Sequence, residues 1–328
     1  MDYTYLYKHS YQRIDEIQNL LPYDIFISSY VNSQRVQEPA DNIQAGQKIW
    51  FATEEEGRDL YLSGKDVTFV KANEDYAPIT EKLDTLQLSG KSVCVDATGF
   101  RVPYLMFLMR CMSMYKINKF DILYTEPTQY RCAENTQFSD FFYEVKQMHG
   151  MSGIHTSKDD NDLLIIAAGY DHSRIVEWQP KWERKKKSVE WQPKRKDARK
   201  KVLLFGFPAI SPGMFQENIL RAHEAEAAIE TECFKDMDSN IYAPAYDPFV
   251  TAQAISEYVE KQNKRAPITN IYLSPLSTKP HALGMALYFL WEHGFNKNIS
   301  LIYPYCQQYI TDNSDGIARI WRYEIQLP

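Results

Sequence analysis

Nine short runs, mostly apolar and separated by polar or helix-like sequence, limit what this chain can fold into more than any other feature. They are DIFIS at 24–28, KIWFA at 48–52, SVCVD at 92–96, FDILY at 120–124, DLLIIAA at 162–168, VLLF at 202–205, IYL at 271–273, ISLIY at 299–303 and ARIWRYEI at 318–325. A strand with one solvated face alternates apolar and polar residues, whereas a strand covered on both faces stays apolar. Helical stretches fall between them at about 103–115, 214–229, 251–262 and from Pro280 onward. Strands alternating with helices imply right-handed crossovers and a mostly parallel sheet flanked by helices. The expected class is α/β and Rossmann-like, with the last run as a closing strand.

A chain of 328 residues can form one large α/β domain or two of ordinary size. Local charge suggests where it divides. Residues 181–201 hold 11 Lys/Arg and 3 Asp/Glu; of the chain's 37 basic and 43 acidic residues this leaves 26 and 40, so the remainder carries −14. Inside this run VEWQPK occurs at Val176–Lys181 and again at Val189–Lys194, a short tandem duplication of the kind surface loops tolerate. The expected organisation is an N-terminal half at 1–174, a basic insertion at 175–201 and a C-terminal half at 202–328. The insertion is either a solvated segment or a local contact for nucleic acid or an acidic partner.

Five cysteines, odd in number and without a CxxC pair, read as reduced thiols of a cytoplasmic protein. The longest apolar run, 102–114, is interrupted by Arg110 and is too short to span a bilayer. No membrane partner is expected. His223 and Glu224 lack the HExxH arrangement, so no metal is expected. Only 13 glycines argue against a glycine-rich nucleotide loop, and no cofactor is expected.

Ligands of open parallel sheets bind beyond the carboxyl ends of the strands, so the strand exits carry the functional argument. They present Ser28 and Ser29; Asp96, Thr98 and Arg101; Glu126; Tyr170, Asp171 and His172; and Ser274, Ser277, Thr278 and Lys279. Ser, Thr and Asp at such places also cap the helices that follow, and that role alone explains many of them. The richest exit is SPLSTKPHALGMAL, 274–287. Its Pro280 is pre-organised for a first helical turn, and the hydroxyls and lysine stand at the positive end of the helix, where an anion is favoured. In DATGFR, 96–101, Thr98 and Arg101 can hold an anion, or Arg101 can pair with Asp96 and brace the turn. Asp171 and His172 are candidates for a base with an orienting carboxylate, although adjacent side chains point apart and no GxSxG elbow supplies a nucleophile. On the helix at 214–229, Glu217 and Arg221 form an i,i+4 pair beside Asn218, which needs no function to explain it. Asp247 before Pro248 reads as an N-cap, and Tyr303-Pro304-Tyr305 as an aromatic strand end that could stack on a planar ligand.

The strand followed by SPLSTKPHALGMAL resembles the small-Thr-Lys loop and apolar helix of CARF-type Rossmann-like domains, over about 20 residues. Leu276-Ser277 stands where that family carries a glycine pair. Such domains bind cyclic or linear oligonucleotide messengers in antiviral defence systems and are often dimeric about the ligand. The resemblance implies Thr278 and Lys279 as phosphate contacts, with Ser28 and Ser29 as their partners. Two functional classes follow. One is a nucleotide- or oligonucleotide-binding sensor that signals to a protein partner. The other is a hydrolase or transferase acting on a nucleotide or nucleoside, with Asp96, Asp171, His172 and Glu217 for acid–base work and Lys279 and Arg101 as phosphate clamps.

Overall fold

The computed structural model describes residues 2–53, 65–71, 75–130, 142–158, 161–169, 199–228, 240–306 and 314–328. The chain separates into two compact units. The first comprises 5–133 and 311–328, and the second 1–4 and 134–310. The expected boundary segment lies outside the described residues up to 198, and the division falls earlier. Residues 142–169 belong to the second unit because their strands hydrogen-bond into its sheet.

In chain order the first unit begins with β1 (Lys8–Tyr11), β2 (Tyr23–Ser29), α1 (Gln34–Asn42), β3 (Ala45–Thr53), β4 (Asp66–Val70), α2 (Ala77–Leu86), β5 (Val93–Asp96), α3 (Val102–Met114), β6 (Lys119–Glu126) and β7 (Gln129–Tyr130). The second unit supplies β8 (Phe142–Gln147), β9 (Asp162–Ala167), β10 (Arg199–Gly206), α4 (Met214–Ala228), β11 (Ile241–Ala243), α5 (Pro248–Arg265), β12 (Ile271–Pro275), α6 (Lys279–Trp291) and β13 (Ile299–Cys306). The chain then returns to the first unit with β14 (Ser314–Asp315) and β15 (Arg319–Gln326).

The first unit's sheet runs β1-β15-β6-β5-β2-β3-β4. Its strands β2 to β6 are mutually parallel, and β15 and β1 close one side antiparallel. The second sheet runs β11-β10-β9-β12-β13-β8, parallel except for β8. In each unit the first parallel strand lies at the centre, the next two extend to one side and the last two to the other. The two sheets therefore share one strand order, each with an antiparallel edge beside its fifth parallel strand. In such an order the ligand-binding crevice opens where the winding reverses, between the first and fourth strands. That is β2 beside β5 in the first unit and β9 beside β12 in the second.

Local sequence explains the central elements. β5, β9 and β12 are buried at every position, as expected between two helical layers. α6 is buried from Pro280 to Leu290, so its apolar character on every side is what its surroundings demand. It packs against α5 at Gly284, where a Cβ would stand 2.6 Å from the Pro248 carbonyl oxygen. Only glycine lets the two helices approach that closely. Asp247 caps α5 as expected, accepting from the N–H groups of Phe249 and Val250 at 3.0 and 3.1 Å. The first unit's core gathers Ile17, Phe26, Val36, Trp50, Leu123 and Ile320. Among the described residues no helix is long and apolar enough to cross a membrane.

Candidate functional site

The predicted site residues divide between the two sheets. Ser28, Ser29, Asp96, Thr98 and Arg101 belong to the first unit, and Ser274, Ser277, Thr278 and Lys279 to the second. A single sheet edge therefore does not gather them all. Tyr170, Asp171 and His172 lie outside the described residues, as does nearly all of the basic run.

At the first unit's switch point, Ser28 on β2 stands in register with Asp96 on β5, and both are fully buried. The Ser28 hydroxyl donates to Asp96 Oδ2 at 3.0 Å, and the Thr98 N–H donates to Oδ1 at 2.9 Å. Thr98 Oγ1 accepts from the Thr125 N–H at 2.9 Å. Arg35, on α1, places Nε and Nη2 on the Thr125 carbonyl at 3.0 and 2.6 Å and Nη1 on Ser314 Oγ at 2.6 Å. Burial raises the Asp96 pKa, opposed by the hydrogen bonds from Thr98 and Ser28 and by the charge of Arg35. Ser29 is buried, and its carbonyl oxygen lies 2.6 Å from where a Gly99 Cβ would be, so the exits of β2 and β5 press together. Arg101 is half-buried as the N-cap residue of α3. Glu126 is taken by the Trp321 indole, whose N–H donates to it at 2.8 Å. The Asp96 carboxylate is thus met by donors on both oxygens, as buried polar groups generally are, while the fully buried Thr125 hydroxyl has no hydrogen-bond partner.

The second unit's switch point is built differently. Ser274 on β12 stands in register with Ile166 on β9. Its hydroxyl is fully buried and has no hydrogen-bond partner. The β9 exit passes so close that a Cβ on Gly169 would lie 2.2 Å from the Leu276 carbonyl oxygen. Thr278 caps α6: its oxygen accepts from the His281 N–H at 3.3 Å, while its hydroxyl donates to the Ala245 carbonyl at 2.6 Å. That bond uses the threonine's one proton, so Thr278 braces the loop and cannot at the same time donate to a phosphate. Ser277 and Lys279 are half-buried beside it.

Sequence reasoning passed over His281, the third residue of α6. Its ring is fully buried, lies against Gly206 at the end of β10, and places Nε2 3.4 Å from the Ala243 carbonyl oxygen at the end of β11. Nδ1 has no partner. Burial lowers its pKa to about 4, against the smaller opposing influence of the Ala243 and Pro244 carbonyls and Asp247. The available signal was a histidine opening an apolar stretch just after Lys279; only folding shows that its ring is unsatisfied.

Other features near this sheet are closed. Tyr303 and Tyr305 are buried against each other, with ring centroids 5.5 Å apart, and offer no exposed stacking face. At the amino ends of the strands, His155 Nε2 lies 2.6 Å from Ser300 Oγ and Nδ1 3.3 Å from Asn270 Oδ1. Asn270 in turn donates to Asp162 at 2.8 Å. A Ser–His pair of this kind suggests a nucleophile, but Ser300 is fully buried and also accepts the Gly153 N–H at 2.8 Å. The cluster ties residues 153–156 to the sheet. On α4, Arg221 meets Glu217 at 2.8 Å, the expected i,i+4 pair, but Arg221 and Asn218 are buried and do not lie on the helix surface. Among the described residues no group of His, Cys, Asp or Glu is arranged to hold a metal ion.

No protein-family model matches the chain, and no curated protein matches it.

Proposed function

We propose that this protein is a nucleotide- or oligonucleotide-binding sensor whose Rossmann-like second unit holds the ligand where β9, β12 and the start of α6 meet. The observations that carry this reading are two fully buried, unpartnered polar atoms of this unit, Ser274 Oγ on β12 at the switch point and His281 Nδ1 on α6 against the ends of β10 and β11. A buried polar group without a partner costs about 1–3 kcal/mol, so such groups at a topological switch point call for a ligand or an ordered water to satisfy them. The N-terminus of α6 favours an anion above them, and Lys279 is its first residue. The resemblance of this loop to CARF-type domains supports the same ligand class, with Lys279 as the phosphate contact and a protein partner or second copy to receive the signal.

Thermal denaturation against a panel of mononucleotides and short cyclic and linear oligonucleotides tests the reading. At least one should raise the Tm of the full chain and be recovered chemically intact, and Lys279→Ala should abolish that rise. Turnover of a nucleotide by the pure protein, lost in His172→Ala or Asp171→Asn, would instead establish the hydrolase or transferase reading.

A further inference from the structure

His281 narrows the ligand's chemistry beyond a phosphate. A carbonyl oxygen can only accept, so the ring nitrogen facing Ala243, Nε2 at 3.4 Å, must carry the proton. In a neutral imidazole the other nitrogen is then a bare lone pair. Full burial holds the ring neutral, with its pKa lowered to about 4. Nδ1 is thus an acceptor, and a phosphate oxygen, which is also an acceptor, cannot satisfy it. Ser274, fully buried at the fourth position of β12, adds a hydroxyl able to donate or accept. His281, in the first turn of α6, meets the carboxyl ends of β10 and β11, and Ser274 stands near the carboxyl end of β12, with β9 between them in the sheet.

Resting on the sensor reading above, we propose that His281 and Ser274 form a polar floor that reads a neutral hydrogen-bond donor of the ligand. The donor is an O–H or N–H group of the ribose or base, and the phosphate stays outside at the helix end. The site then selects a nucleoside as well as an anion. A site built to accept a ligand's proton rejects analogues lacking it far more strongly than a merely apolar pocket could, because its own buried acceptor is left unpaired.

Calorimetric titration of the full chain tests this. The probes are the four ribonucleoside 5′-monophosphates, then the tightest of them beside its 2′-deoxy, 3′-deoxy and amine-lacking counterparts. Wild-type protein should lose at least about tenfold in affinity when one of these donors is deleted. His281→Leu should bind the parent at least tenfold more weakly and no longer distinguish it from that analogue, whereas His281→Asn, which retains an acceptor, should restore part of the discrimination. Ser274→Ala, a smaller change that guards against misfolding of the histidine variant, should weaken the parent several-fold. Equal wild-type affinity for parent and all three analogues, or discrimination that survives in His281→Leu, overturns the proposal and leaves an ordered water as the occupant of the floor while the sensor reading stands. Failure of every nucleotide to bind the wild-type protein overturns both.

Discussion

In the first unit the switch-point register pairs Ser28 with Asp96, and in the second it pairs Ile166 with Ser274. The strand order around these positions is the same in both sheets. The first unit fills the position with its own side chains, since Asp96 accepts from Ser28 and Thr98 while Arg35 and Thr125 close the cluster. The second unit puts an aliphatic residue opposite its serine and leaves both Ser274 and His281 with an unmatched atom. One topology thus carries a hydrogen-bonded carboxylate at one sheet end and an unpartnered hydroxyl at the other, and the difference lies in a few side chains. In the first unit the buried carboxylate has donors within reach; in the second the buried Ser274 hydroxyl has no partner, a cost of about 1–3 kcal/mol.

The largest way to break this contrast is Asp96→Ala. It leaves the Ser28 hydroxyl and the Thr98 N–H without their acceptor in a fully buried place. With each stranded group costing about 1–3 kcal/mol, the first unit should lose about 4 kcal/mol, measured by urea denaturation. Ser28→Ala alone should cost about 1 kcal/mol, and the pair should be strongly non-additive. A loss below about 1 kcal/mol for Asp96→Ala would mean that the cluster braces nothing.

Acid should separate the units next. His281 has a folded pKa of about 4 against an ordinary 6.5, so the unfolded chain takes up the proton first as pH falls. Its contribution is complete above pH 6.5 and is lost between 6.5 and about 4, worth about 3 kcal/mol. His155, whose pKa burial also lowers, acts in the same direction. Asp96 and Asp121 in the first unit have pKa values raised by burial. Their contribution is present at low pH and is lost as pH rises through the folded values, the opposite sign. Hydrogen exchange followed from pH 7 to 4 should therefore show β12 opening more readily while β5 does not. His281→Leu should flatten the β12 trend, and an unchanged trend in that variant would assign the acid sensitivity elsewhere.

How much of this contrast the sequence carried depends on which residues are asked. The nine runs all became strands: the continuous apolar ones because a central strand between helices needs that character, and ARIWRYEI as the antiparallel β15, with alternating burial. The strands that escaped are edges or fragments: β1 (KHSY) is largely exposed, β4 (DVTFV) is half-buried at a sheet edge and β11 (IYA) has three residues at the other sheet's edge. β8 pairs antiparallel at a sheet edge and placed 142–169 in the second unit, which charge composition does not reveal. The loop at 274–279 was legible as a helix start from Thr278 and Pro280. That Thr278 donates to Ala245, and that His281 is the unsatisfied group, are facts of long-range packing between α6 and the ends of β10 and β11, and no local pattern encodes them.

The smallest effect is also the sharpest, because its sign differs between the units. Ser274→Ala removes a fully buried hydroxyl that has no partner and strands no neighbour, so the usual loss on deleting a hydrogen bond does not apply. The variant sheds a desolvation cost and leaves only a small gap at the end of β12. The ligand-free protein should become more stable by about 1 kcal/mol, read as a higher urea midpoint at unchanged slope. Ser28→Ala, the serine one place before the end of β2, should move the midpoint down. If Ser274→Ala instead destabilises the ligand-free protein as Ser28→Ala does, the hydroxyl is already satisfied within the fold, and the second unit's switch point is as closed as the first.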